Sequence, residues 1–298
     1  MKKKVKVVKK ENENDLLLDK LNFKSQAAME YLMTYGWAIL IIALSLAVLY
    51  SLGIMNPKNF APRSPPGSCF VLRPNGPGTT DFISLQGTCG YLPMYIASFS
   101  PNSRGSISMQ VNSYLEPQQV TISAWFFEAD QLKVPDYPWV GGVNYGYIRG
   151  YVLLLPKNSG DCGLIIGNGT ECYCYTFPKI GNWAHIVGSY NGSIMKLYFN
   201  GGLVKSCSCK GPIDYTGVSG QVAAGTNVSI TNVQIYNTAL TPQEIQYLYQ
   251  EGLGGGPVRL QNLVAWWPLN GDAKDYSGNN NHGTINGGVT FVQNYNPP

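Results

Sequence analysis

Charge is sparse in this sequence. Asp, Glu, Lys and Arg make up 13% of 298 residues, and no basic stripe runs through them. That excludes a nucleic-acid surface, which needs clustered Lys and Arg. Histidine is rarer still: His185 and His282 are the two. No nucleophile elbow, phosphate-binding loop or His/Cys/Asp arrangement accompanies them, so the protein is not expected to be an enzyme. Between Tyr31 and Pro57 charge is missing altogether. These 27 uncharged residues exceed the length of about 20 that a membrane-crossing helix needs.

The charge that is present is unevenly placed. Residues 1–25 hold eight of the 21 Lys and Arg and four of the 17 Asp and Glu, so the remainder carries 13 of each and is neutral. Lys-rich sequence before an apolar helix keeps that side cytoplasmic, which puts everything after Ile54 outside. The chain therefore divides into a cytoplasmic leader (1–25), a membrane or filament-core helix (26–55), a linker with four prolines (56–67) and a head (68–298). Seven cysteines in an exported chain read as disulfides first, and the odd number leaves one over or bridging chains.

The edge of the apolar run is distinctive. Lys24-Ser25-Gln26 precedes Ala27-Ala28-Met29-Glu30, then Tyr-Leu-Met-Thr-Tyr-Gly-Trp-Ala-Ile-Leu-Ile-Ile. This stretch resembles the class III signal peptide of archaeal type IV pilin-like proteins. The resemblance implies cleavage between Ser25 and Gln26 by a prepilin-type peptidase. It also implies that Glu30, the fifth residue of the mature chain, partners the amino terminus of a neighbouring copy in a filament. A carboxylate at the lipid boundary needs such a partner. The protein would then sit in the cell membrane before assembly and in a surface filament after it. The alternative is a plain anchor with Glu30 solvated at the interface.

The head reads as mainly β. Val120–Phe127 is a β-branched and aromatic strand; Tyr151–Leu155, Cys162–Ile166, Cys172–Phe177 and Val228–Tyr236 are others. Asn191-Gly192 marks a hairpin between 183–190 and 194–200. Residues 135–151 are aromatic, Gly-rich and loop-like. One soluble helix stands out: Thr241 as N-cap, Pro242 in the first turn, Glu244 closing a capping box and Gly252 stopping it.

Four blocks carry a second resemblance. They are Val120-Thr-Ile-Ser-Ala-Trp125; Gly181-Asn-Trp-Ala-His-Ile-Val187 with Leu197-Tyr-Phe-Asn-Gly201; Val233–Ile245; and Leu263-Val-Ala-Trp-Trp-Pro-Leu269 running to Thr284. Together they resemble the concanavalin A-like, laminin-G-like β-sandwich (jelly-roll) family. The resemblance implies a lectin-like head that binds surface glycans. The order departs from the family's, because the Trp-Trp-Pro-Leu block normally comes first and here comes last. Either a second sandwich is truncated or the domain is circularly permuted. Permutation is preferred, with residues 258–298 completing the sheet begun near residue 95, in the same chain or in a neighbouring one.

Several residues are candidates for chemistry. Asp272, Asp275 and Asn279, with Ser277 and Asn281, form an oxygen-rich loop suited to Ca²⁺, or else an Asn/Gly turn that caps itself. Cys69 and Cys89 are the leading pair. Cys172 and Cys174 share one strand face, as do Cys207 and Cys209, giving two disulfides or a four-thiolate site; Cys162 with Cys172 is the competing pair. Asn168, Asn191 and Asn227 begin N-glycosylation sequons. Tyr137, Trp139, Tyr145 and Tyr147 are candidates for stacking on sugar. Glycosidases need two carboxylates about 5–9 Å apart. Glu128 and Asp130 start such a set, but Gln131, Leu132 and Lys133 follow where a second Glu is wanted. The expected function is a pilin-like filament subunit with an adhesive, lectin-like head. The alternatives are a monomeric membrane-anchored carbohydrate-binding protein and, more remotely, a surface glycosidase.

Overall fold

The computed structural model describes residues 31, 33–49, 61–128, 138–157, 161–176, 182–293 and 295–298. The chain separates into two compact units, Met1–Ala61 and Pro62–Pro298. In the first, residues 33–49 form helix α1. Its length is about 26 Å. Its Trp37, Ile39 and Leu44 side chains are more than half exposed. Among the described residues no helix is long and apolar enough to cross a membrane. Ser25, Gln26, Glu30 and most of the linker lie outside the described residues.

The second unit is built of strands. In chain order they are β1 (Arg63–Ser64), β2 (Cys69–Leu72), β3 (Ser84–Gly87), β4 (Leu92–Pro93), β5 (Ile96–Phe99), β6 (Gly105–Met109), β7 (Val120–Glu128) and β8 (Trp139–Tyr145). Then come β9 (Arg149–Lys157), β10 (Asp161–Asn168), β11 (Glu171–Thr176), β12 (Ala184–Tyr190), β13 (Ile194–Phe199), β14 (Gly202–Ser208), β15 (Ser219–Gly225) and β16 (Val228–Tyr236). Helix α2 (Pro242–Glu251) precedes β17 (Leu263–Trp267), β18 (Thr284–Gly287) and β19 (Val289–Val292). A seven-stranded sheet runs β11-β10-β9-β8-β15-β6-β18. An eight-stranded sheet runs β14-β13-β12-β7-β16-β5-β19, with β17 also paired to β16.

Alternation along the strands builds the core between these sheets. Ile122, Ala124 and Phe126 of β7 meet Leu153 and Leu155 of β9 and Leu164 and Ile166 of β10, all fully buried. Residues of opposite parity point away from this core. On the eight-stranded sheet those are Trp125, His185, Val187, Tyr198 and Tyr236, covered by Ile245, Leu248 and Tyr249 of α2 and by Trp266. Thr241 caps α2: its Oγ1 accepts from the Glu244 amide while Glu244 accepts from the Thr241 amide at 2.8 Å.

The C-terminal block lies in both sheets of its own chain. Trp267 sits opposite Val233, Ile285 opposite Ile107, and Phe291 opposite Ala97. β18 and β19 thus close one edge of the sandwich, one strand per sheet. Two disulfides, Cys172–Cys209 and Cys174–Cys207, tie the opposite edges, β11 and the end of β14. Cys69–Cys89 holds the small β2–β3 hairpin.

Three strands depart from the sequence reading. β8 occupies residues read as loop. Its Gly141-Gly142 pair is a bulge against β9 between Val140 and Val143, where Gly141 has φ +57° and a Cβ would strike Ile122. β15, rich in small residues, is central nonetheless. A Cβ on Gly220 would lie 2.9 Å from the Met109 side chain, so only glycine fits beside β6. β18 is short and exposed, with no burial pattern to mark it.

Candidate functional site

The covered outer face holds the residues that look most like catalytic machinery. His185 Nε2 lies 2.8 Å from Ser123 Oγ, the spacing of a nucleophile and its base. Both are buried, and no carboxylate orients the ring, because His185 Nδ1 has no hydrogen-bond partner. Burial pushes the imidazole down to about 3, so it stays neutral and makes a weak base. The ring stacks with Tyr249 at a centroid distance of 6.1 Å and packs tilted on Trp125 at 5.1 Å. Trp183, two residues before His185, packs on Phe127 and Tyr295. Asp130 lies outside the described residues, and so does the side chain of Glu128.

The oxygen-rich loop turns inward. Asp275 Oδ1 accepts from the amides of Trp266 and Ser277 at 3.0 and 2.8 Å. Its Oδ2 accepts from the Asn281 amide at 2.8 Å and the Ser277 hydroxyl at 2.9 Å. Asn279 donates to the Leu263 and Val264 carbonyls and accepts from the Gly78 amide. Asp272 takes the Lys274 amide and the Tyr276 hydroxyl. The calcium reading of Asp272, Asp275 and Asn279 does not fit this arrangement, because their side-chain oxygens are spent on protein donors. The loop is a polar clasp that holds β17 in place. Burial pushes the Asp275 carboxyl up against these donors. Arg73, which sequence reasoning missed, completes the clasp. It donates to the carbonyls of Ser277, Leu260 and Leu263 at 2.8–2.9 Å. His282 Nδ1 accepts from the Asp275 amide.

The cysteines and sequons have definite places. The antiparallel register sets Cys162 opposite Thr176 and Cys172 opposite Ile166, which rules out a Cys162–Cys172 pair. Cys162 is buried outside the disulfides. With all four sulfurs of Cys172, Cys174, Cys207 and Cys209 in disulfides, a four-thiolate metal site is not formed. Three disulfides mark a secreted or surface protein. Asn168 commits its side-chain nitrogen to the Lys210 carbonyl at 2.8 Å. Asn191 is exposed at the β12–β13 turn, and its Oδ1 accepts from the amides of Ser193 and Ile194. Asn227 is half-buried with φ +52°.

The outer face of the seven-stranded sheet differs. Trp139, expected as a sugar contact, is buried there with Val152, Ile165 and Ala224. Tyr137 and the side chain of Tyr145 lie outside the described residues. Tyr147 is 38% exposed in the β8–β9 turn. It lines a cavity of about 270 Å³ with Leu154, Gly163, Ile165, Tyr173 and Tyr175. That size is near the ~300 Å³ at which ligand clefts begin. Tyr173 and Tyr175 are 44% and 55% exposed. Their direction follows from the disulfides: Cys172 and Cys174 face the other sheet, so the alternate tyrosines face out. Gly163 forms bare floor opposite Tyr175. The Tyr173 hydroxyl donates to the Glu171 carboxylate. Partial burial, then Glu171 and Tyr147, push this phenol up to about 12.

Residues 102–246 match the family model described as the concanavalin A-like lectin/glucanases superfamily. That match lies within the head and covers slightly less than half of the chain. The match ends before β17, although β17–β19 complete both sheets. No curated protein matches the chain. Solved structures similar to it include a candidate carbohydrate-binding protein from Bacteroides ovatus, at 17% identity and TM-score 0.49, covering 72% of this chain and 64% of that one. The chain therefore spans less than two thirds of that protein. A heptameric SAP-like pentraxin from Limulus polyphemus is similar at 13% identity and TM-score 0.44, covering 67% of this chain and 94% of that one. The Ruminococcus gnavus IT-sialidase CBM40 is similar at 14% and 0.40, covering 54% and 100%. Likeness this distant leaves function to the chain's own residues.

Proposed function

We propose that this is an exported surface protein whose head binds saccharide without turning it over. The observation that carries the reading is the cavity formed by Tyr147, Tyr173 and Tyr175. These are flat apolar rings, exposed together on a rigid sheet face, in a domain of lectin-like architecture. A pyranose presents an apolar C–H face that loses water favourably against such rings. The neutral, inaccessible Ser123–His185 pair supports a binding role over a hydrolytic one. A glycan array probed with the full chain tests the reading. Binding that disappears in Tyr173→Ala/Tyr175→Ala, at unchanged melting temperature, is expected. No binding to any glycan, or binding indifferent to both changes, would refute it.

The same proposal includes the N-terminal region. The uncharged run after Ser25, with Glu30 at its edge, favours cleavage before Gln26, membrane insertion and assembly into a filament of identical copies. A mature chain beginning at Gln26, and filaments lost in Glu30→Ala, are the expected results. An intact Met1 points to an ordinary anchor. The placement of β17–β19 favours circular permutation of the sandwich, and Asn191 is the best-presented glycan acceptor of the three sequons.

A further inference from the structure

The tyrosine cavity carries information about the charge of its ligand. Among the described residues that line it, none is cationic. The nearest arginine along the chain, Arg149, is turned elsewhere: its Nε lies 3.1 Å from the Asp214 carboxylate and its Nη1 donates to the Thr216 carbonyl. Among the described residues, the charged side chain bonded to a ring of the lining is an anion. Glu171 is exposed, two residues before Tyr173 on β11, and holds the Tyr173 hydroxyl.

We infer that the site takes an uncharged saccharide and rejects carboxylated or sulfated ones, an inference that rests on the saccharide reading above. Two groups set the preference. Tyr147, Tyr173 and Tyr175 offer ring faces to the C–H side of a sugar, which requires no charge. Glu171 offers carboxylate oxygens that accept hydrogen bonds from neutral sugar hydroxyls, and charge-assisted bonds of this kind are the stronger ones. A sialic acid, uronic acid or sulfate brought to the same rings meets Glu171 with no compensating Lys or Arg among the described lining residues. Like charges set side by side across an interface repel and count against the wrong partner.

The test compares matched glycans on the full chain. Each neutral glycan that binds on the array is titrated beside its sialylated, uronate or sulfated counterpart, for wild type, Glu171→Gln, Glu171→Lys and Tyr173→Ala. The expected result is tighter binding of the neutral member by at least about tenfold, with the gap narrowing in Glu171→Gln and closing or reversing in Glu171→Lys. Wild-type preference for acidic glycans, with binding still lost in Tyr173→Ala, overturns the charge inference and leaves the saccharide reading standing. A preference for neutral glycans that is unmoved by both Glu171 changes also overturns it. Absence of all glycan binding overturns both.

Discussion

The two outer faces of the sandwich use similar residues to opposite ends. Trp125, His185 and Tyr249 pack together on the eight-stranded sheet, and Tyr147, Tyr173 and Tyr175 gather on the seven-stranded one. On the first face α2 and the C-terminal block form a roof, so Trp125 and His185 are nearly inaccessible. On the second, Tyr173 and Tyr175 remain about half exposed. Aromatic residues on a sheet face therefore do not by themselves mark a site. The presence or absence of a roof decides whether they become core or platform.

Breaking the roof should have the largest effect. Trp266 is 2% exposed and its indole donates to Asn232 Oδ1 at 2.8 Å. Trp266→Ala should destabilise the head by about 4 kcal/mol in denaturant melts. The equivalent truncation on the other face, Tyr175→Ala, should cost much less, since its ring is mostly in water. A loss of similar size in both would erase the distinction.

Acid weakens the same roof more gently. The His185 pKa is depressed, from about 6.5 in the unfolded chain to about 3 when folded. The neutral ring is therefore compatible with the fold above pH 6.5, and its contribution is lost as pH falls from there towards 3. At pH 4.5 the loss is about 3 kcal/mol relative to neutral pH. Stability curves for wild type and His185→Gln should diverge in that window and run parallel above it.

Smaller still is the helix cap. Thr241→Ala removes the acceptor for the Glu244 amide and should cost about 1 kcal/mol. Glu244 also pairs with Arg259. Its carboxyl is held below the usual range, despite burial, by the Thr241 donors and then by Arg259. The cap's contribution is thus present above the unfolded carboxylate pKa and lost as pH falls below it. Amide exchange in α2, followed against pH, reads this directly.

These parts differed in how plainly the sequence showed them. The cap was legible because Thr241, Pro242, Glu244 and Gly252 act within one turn of the chain. The Asn191-Gly192 hairpin and the alternation in β7 and β11 were legible for the same local reason. β8 and β15 were not, because their glycines answer to neighbours far away in sequence, Ile122 and Met109. The loop around Asp275 showed the right residue types for a cation, yet which donors face a carboxylate depends on where β17 lies. Arg73 gave no signal at all, since the carbonyls through which it joins the clasp, those of Leu260, Leu263 and Ser277, are about 190 to 200 residues downstream. The tyrosine cavity was half legible. Paired cysteines in Cys172-Tyr-Cys-Tyr imply outward tyrosines once the disulfides reach the opposite sheet, but attention to residues 137–147 found only Tyr147.

One footprint compares both faces at once. The full chain is nitrated with tetranitromethane, with and without a saturating glycan from the array, and modified tyrosines are mapped by mass. Tyr175, 55% exposed, should react in the free protein and be protected by glycan, while Tyr198 and Tyr236 under the roof stay unmodified in both. Glycan that leaves Tyr175 reactive, or that protects residues elsewhere on the head instead, would contradict the assignment of the open face as the binding site.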